Sequence, residues 1–487
     1  MRGFRRHAVL LLAGLLMAGP AAADWFEDFK DRATDRQLLK FLTAMPKGGD
    51  LHNHITGAVH SEWFWDLALA AEADGYRYYT KTTIDNCRYG TDEYGPDAYL
   101  LLFRTIPEHE YRQLEACERG EYQPVASLSG EMRDRWLEAL RLDKPHEGRA
   151  EFFEALWPRI GGMLTNPHLV ADLLVRNMQA FGEEGVLYLE VQIPVHRFAA
   201  PDGSPIEPEA VADIYRARLA RPDARATGVT VRFQLAVLRF TPGAEQALDT
   251  VYRFVARHPE FVGVNLVGRE DNDKGYPLRF LDTFRALRRE VGDVHLSIHA
   301  GEVDEPNAHV RDTLLLGADR IGHGLNLISD PDTLLLMRHG PYLVEINLIS
   351  NLLLGYVDDY DQHPFPEYLR IGVPVALSTD DRGMWDSTLT DEFFVAVKEF
   401  DLTWQEIRTL SRNSLAHAFL PEAERAALLE QLDERLTRFE RAFQRRGDAL
   451  LAGVEPQYRG FLCRRYGVCA PAVAPAVAPA VAPADDA

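Results

Sequence analysis

The feature that most constrains this chain is a regular alternation, over residues 151 to 378, of short apolar, β-branched runs with amphipathic helical stretches. The runs are Val186 to Ile193, Val229 to Leu238, Val262 to Leu266, Val294 to His299, Arg320 to Gly322, Tyr342 to Ile346 and Val373 to Ser378, and Gly49 to Ile55 upstream makes eight. Strands of this composition, separated by helices, are buried on both faces and lie parallel. Eight of them closing on themselves predict an α/β fold, a (β/α)8 barrel. A doubly wound open sheet is the alternative, but no Gly-x-Gly-x-x-Gly turn follows any of these runs.

The remaining segments read as appendages to one catalytic domain over 46–445. Residues 1–23 place Arg2, Arg5 and Arg6 before a short apolar run that ends in Ala21-Ala22-Ala23, the pattern of a cleaved secretory signal. Its apolar run is well short of the roughly 20 residues that a membrane span needs. Residues 24–45 carry Trp25, Phe26, Phe29, Leu38, Leu39 and Phe41 at helical spacing, which predicts a helical arm ending at Met45-Pro46-Lys47-Gly48-Gly49. A helix is expected over Glu62 to Ala73. Between about 76 and 149 the periodicity dissolves, and an insertion of that length is a lid or an inserted subdomain. Residues 446–469 form a C-terminal segment, and the Ala/Pro/Val repeat over 470–487 has too little apolar bulk to fold.

Export implies an oxidising compartment, periplasmic or extracellular, so the four cysteines are candidate disulfides. Proximity favours Cys87–Cys117 and Cys463–Cys469, with two other pairings open. The formal charge is −21, and removing the three arginines of the signal leaves 50 basic against 74 acidic residues, or −24. Such a surface repels nucleic acid and anionic lipid and suits a small neutral substrate.

Four short motifs end four of the expected strands. His52 and His54 alternate on the first strand, so both imidazoles point to the same side. His299 ends an apolar strand and Glu302 follows three residues later. His323 lies between Gly322 and Gly324, and Asp380-Asp381 follows Val373 to Ser378. In a barrel these strand ends share one mouth. Strand-end histidines often satisfy neighbouring carbonyls and paired aspartates often cap helices, but four such motifs at four strand ends point together to a metal centre. Three histidines and an aspartate suit zinc, with iron or another transition metal open.

The segments Met45-Pro46-Lys47 with Leu51-His52-Asn53-His54, His299-Ala300-Gly301-Glu302, Arg320-Ile321-Gly322-His323-Gly324 and Ser378-Thr379-Asp380-Asp381 resemble the ordered motifs of the adenosine deaminase family. Asn413-Ser414 through Ala418-Phe419-Leu420-Pro421 is similar to its C-terminal helices. The match runs from about Met45 to Gln444. The signal, the insertion and Ile349-Ser350-Asn351 resemble its secreted branch, the adenosine deaminase-related growth factors. The resemblance implies one zinc held by His52, His54, His299 and Asp380. It also implies Glu302 as proton donor to purine N1, and His323 as the residue that orients and deprotonates the attacking water. Asp381 would bond purine N7, the backbone amide of Gly268 would meet the purine, and Ser350 would line the pocket. The implied activity is hydrolytic deamination of a purine nucleoside, with no nucleic-acid polymer or membrane as partner and a homodimer left open.

Two positions depart from the family pattern. The aspartate that commonly follows the second motif histidine is absent, with Ile55 and Thr56 in its place, which puts ribose recognition on Thr56 in question. Asp92 or Glu93 of the insertion could supply a carboxylate instead. The usual proline after the aspartate pair is replaced by Arg382-Gly383. Another amidohydrolase-type zinc enzyme acting on a different C–N bond, and a non-catalytic secreted binding protein on the same fold, are the competing readings.

Overall fold

The computed structural model describes residues 25–85, 87, 100–272 and 274–469. The expected signal (1–23), the Ala/Pro/Val tail (470–487), Asp92 and Glu93 lie outside the described residues. Among the described residues the strands are β1 (Gly49–His54), β2 (Tyr78–Lys81), β3 (Thr105–Pro107), β4 (Tyr122–Pro124), β5 (Tyr188–Gln192), β6 (Phe198–Ala199), β7 (Pro205–Ile206), β8 (Thr230–Leu238), β9 (Phe261–Val267), β10 (His295–Ala300), β11 (Arg320–His323), β12 (Leu343–Ile346) and β13 (Val375–Leu377).

Eight of them pair in the order β1-β5-β8-β9-β10-β11-β12-β13, every neighbour parallel. These are the eight expected strands, and helices such as Pro208–Leu219, Ala244–Val255 and Leu281–Glu290 cover them from outside. The result is a (β/α)8 barrel. The first and last strands meet at a single parallel bridge, Asn53 with Asp380. There the Asp380 N–H donates to the His52 carbonyl at 2.9 Å and the His54 N–H donates to the Asp380 carbonyl at 3.3 Å. Inside the barrel Arg320 ties strands together, bonding Glu345 Oε1 at 2.6 Å and Glu190 Oε2 at 2.5 Å, with its guanidinium 3.6 Å over the Phe419 ring.

The arm consists of two helices, Trp25–Arg32 and Asp35–Ala44. Thr34 breaks it: its side chain accepts from the Gln37 N–H while Gln37 Oε1 accepts from the Thr34 N–H, a reciprocal cap that starts a new helix. Phe26, Phe29 and Phe41 then pack against Trp404, Phe439 and Phe443 of the C-terminal helices. The helix expected over Glu62 to Ala73 runs Ser61–Ala70 and tightens into a 3-10 turn over Ala71–Asp74.

The insertion contains a three-stranded antiparallel sheet, β3-β2-β4. Trp136 anchors it, fully buried against Trp65 with its indole N–H donating to Thr105 Oγ1 at 3.3 Å. The favoured disulfides are both present, Cys87–Cys117 and Cys463–Cys469. The second lies where Arg36 of the arm bonds the carbonyls of Val468 and Cys469.

Candidate active site

The four motifs meet at the C-terminal mouth of the barrel. His52 Nε2 lies 3.0 Å from His299 Nε2, and His54 Nε2 lies 3.3 Å from the same atom. Asp380 Oδ1 is 3.4 Å from His52 Nε2 and 3.2 Å from His54 Nε2. The second-layer partners settle where the ring protons sit. His52 Nδ1 donates to Glu345 Oε2 at 2.8 Å, and His299 Nδ1 donates to Asn265 Oδ1 at 2.9 Å. Burial would raise Glu345, but Arg320 and His52 hold it down to about 2, so it is an ionised acceptor. With those protons on Nδ1, each Nε2 is free to turn a lone pair towards a cation lying between them. Ligand bonds of about 2.0–2.1 Å in a tetrahedral site place donors roughly 3.3 Å apart, close to the edges found here. The residues fit a divalent transition metal of the zinc type.

Asp380 is held in a left-handed backbone conformation at φ +54°, and His323 in another at φ +63°. Such conformations are costly for side chains other than glycine and occur where surrounding structure enforces them. Here they turn both side chains into the mouth. Ser350 Oγ donates to Asp380 Oδ2 at 2.7 Å, which places Ser350 behind the Asp380 carboxylate.

Glu302 stands across the mouth, 3.7 Å from His323 Nε2. Burial, with the charges of Asp380 and Glu270 behind it, pushes its carboxyl well above the usual range. Burial and Asp380 do the same to Asp381, whose Oδ1 is buried without a partner among the described residues. Both are thus held as acids able to donate. Glu270 fixes the loop that carries Glu302: its carboxylate accepts from the Gly301 N–H at 3.1 Å, the Glu302 N–H at 3.2 Å and His309 Nδ1 at 2.6 Å. Gly268 directly follows β9 at φ +90°, and a β-carbon there would run into Phe240. Thr56 sits half-buried on the short helix Ile55–Ala58 directly after β1.

Arg149, at the end of the insertion, binds the rim. It bonds Asp271 at 3.2 Å, Asp304 at 2.9 Å and the carbonyls of Leu354 and Gly355, and lies 4.3 Å over the Tyr356 ring. The loops after β9, β10 and β12 are thereby tethered to one side chain.

Among the described residues, His52, His54, His299, Glu302, His323, Ser350, Asp380 and Asp381 meet at this mouth, and Thr56 and Gly268 lie just past the ends of β1 and β9. The sequence reading did not single out Glu345, Asn265, Glu270 or Gly57. Glu345 had a visible signal, a lone carboxylate within the apolar run Leu343–Ile346.

A family model described as adenosine deaminase matches residues 128–435. An adenosine deaminase of Serratia proteamaculans is 30% identical over 53% of this chain and 75% of its own length. An adenosine deaminase of Phlebotomus duboscqi is 26% identical over 80% of this chain and 75% of its own length. Among solved structures, adenine deaminase from Arthrobacter aurescens aligns with a TM-score of 0.59 at 21% identity, covering 80% of this chain and 99% of that one. An amidohydrolase from Burkholderia ambifaria with bound Zn aligns at 0.56 and 19% identity, covering 84% and 94%.

Proposed function

We propose, since the chain belongs to the adenosine deaminase family, that it hydrolyses the 6-amino group of adenosine or a closely related aminopurine nucleoside, releasing ammonia and leaving inosine or its analogue. The observation that carries this reading is the convergence of three imidazoles and Asp380 on one point, opposite a buried carboxylic acid, Glu302. The proposed ion is zinc, one per chain, held by His52, His54, His299 and Asp380. When bound it lowers the pKa of water from roughly 16 to about 7 and so makes hydroxide available near neutral pH.

Addition at C6 breaks the aromaticity of the purine and loads charge onto N1. Glu302, held protonated, donates there, a contribution of roughly 10²–10⁴-fold in rate. Asp381, also held as an acid, donates to N7 and fixes the ring. The Gly268 backbone approaches the purine where no side chain would fit. His323 faces the attacking water. Thr56 stands where the family usually has a carboxylate for the ribose.

Export to the periplasm or the extracellular space belongs to the same proposal. Its support is the pair of disulfides together with the character of residues 1–23. No helix of the described residues is long and apolar enough to cross a membrane. Ammonia release from adenosine, 2′-deoxyadenosine, adenine and other aminopurines tests the reading. Turnover of at least one nucleoside is expected, and a zinc-loaded enzyme inert towards the whole panel overturns it.

A further inference from the structure

We infer that Asn351 and His363 are positioning residues that hold His323 as the tautomer protonated on Nε2, so that His323 meets the attacking water as a hydrogen-bond donor and not as its base. The inference rests on the proposal that His323 faces that water.

One group beside His363 has a role fixed by its chemistry. The backbone N–H of Phe365 can only donate, and it points at His363 Nδ1 at 3.1 Å. His363 Nδ1 is therefore an acceptor, and the proton of this ring is on Nε2. That nitrogen lies 3.1 Å from Asn351 Oδ1, which receives it. With its oxygen committed, the Asn351 amide presents Nδ2 to His323 Nδ1 at 2.9 Å. An N–H pointing at Nδ1 makes that nitrogen an acceptor, so His323 carries its proton on Nε2, the nitrogen turned towards Glu302.

Geometry also excludes the cationic forms. A proton on His363 Nδ1 would face the Phe365 N–H, and one on His323 Nδ1 would face the Asn351 amide hydrogens. His323, Asn351 and His363 are all buried, and the Asn351 backbone is pinned by its own N–H to the Asn347 carbonyl at 3.0 Å. Asn347 lies beside the His323 ring, its Nδ2 3.4 Å from both ring nitrogens and its Oδ1 without a partner among the described residues. An end-for-end turn of that amide would give His323 Nε2–H an acceptor until water or substrate arrives.

The relay separates two groups that distance alone does not. The ligand atom of His323 lies within 4.8 Å of those of His52, His299 and Asp380, so proximity would admit it to the metal. A protonated Nε2 has no lone pair to give. The same proton points at the lone pair of an incoming water oxygen and aims it, while deprotonation by Nε2 is closed to it.

The polarity can be reversed by substitution. In Asn351→Asp the carboxylate accepts from both imidazoles, moving the His323 proton to Nδ1 and baring Nε2. We expect kcat to fall about 10²-fold with KM changed by less than about threefold. We also expect the visible spectrum of the cobalt(II)-substituted enzyme to change as Nε2 enters the coordination sphere. His363→Gln offers an amide N–H to Asn351 and an oxygen to Phe365, and should stay within about threefold of wild type, whereas His363→Leu should lose roughly tenfold in kcat. An Asn351→Asp enzyme with wild-type kcat and an unchanged cobalt spectrum overturns the inference. So does His363→Gln falling as far as His363→Leu, a comparison that decides the matter should Asn351→Asp not fold. His323→Ala retaining full kcat would instead overturn the placement of His323 at the water.

Discussion

Gly57 packs so closely on Asp381 that a β-carbon at position 57 would overlap the carboxylate. The glycine thus keeps open the space in which Asp381 is aimed. Gly57→Ala must push the acid aside and leave its donation to the purine unmade, at a cost of about 1.5–3 kcal/mol or roughly tenfold to a hundredfold in kcat/KM. Metal content should not change. Steady-state kinetics within about twofold of wild type would show that the aim of Asp381 does not matter.

Metal removal should be felt by the whole barrel. A ligand at 100 times its Kd adds about 2.7 kcal/mol to stability, and over a barrel of about 400 residues, with about 2.1 cal/mol/K of unfolding entropy each, dialysis against a chelator should lower Tm by roughly 3 °C. His52→Ala should abolish stoichiometric metal. Glu345→Gln withdraws the ionised acceptor behind His52 and should weaken metal affinity by about 10–100-fold while the chain still folds. Metal analysis together with differential scanning calorimetry reads both effects.

Glu302→Gln should keep the metal and lose at least roughly 10²-fold in kcat, since an amide cannot release a proton to N1. Loss of the metal in this variant would make Glu302 a ligand and not an acid. Glu270→Ala frees the loop at Gly301 and Glu302 and should lower kcat by roughly tenfold with the metal retained.

The ribose 5′-hydroxyl should matter little. A carboxylate accepting from a buried hydroxyl contributes about 1.5–3 kcal/mol, whereas a neutral hydroxyl such as that of Thr56 contributes about 0.5–1.5. Replacing adenosine by 5′-deoxyadenosine should therefore reduce kcat/KM by about tenfold or less. A hundredfold loss would mean that another carboxylate serves the ribose.

Lys47 is fully buried and donates to the carbonyls of Leu42 at 2.6 Å, Met45 at 3.3 Å and Glu184 at 2.8 Å. Burial pushes its ammonium down to about 8 against the attraction of Glu184 and Asp391. Between pH 8 and the unfolded value near 10.5 the unfolded chain holds a proton that the folded chain has released. This residue's contribution to stability accordingly rises with pH across that window. Lys47→Met should destabilise by roughly 1–3 kcal/mol at pH 7. The deficit relative to wild type should widen towards pH 10, and parallel denaturation curves at the two pH values would contradict the sign.

The barrel was readable because each strand is a compact apolar run whose burial on both faces leaves little choice of composition. The cluster of three histidines and Asp380 was readable because its members end those runs. Thr34 and Gln37 form the reciprocal cap that divides the arm, a pairing the sequence reading did not single out. The strands of the insertion are three or four residues long, too short for alternation to show. Glu270, Asn351 and His363 act through partners 12 to 39 residues away, and Arg149 through partners more than 120 residues away. Pairings at that range depend on the closed barrel, and no local pattern announces them.

The meeting of Asn53 with Asp380 makes the site a seam as well as a centre of chemistry. Two of the proposed ligands lie on the first strand and one just past the last, so an ion shared among them would act as a rivet across an edge of the cylinder that, among the described residues, has one bridge in place of a full ladder of backbone bonds. On this proposal, holding the nucleophile and holding the cylinder shut fall to the same few atoms. A substitution that loosens the proposed metal would then loosen the closure as well, at the place where the two ends of the barrel join.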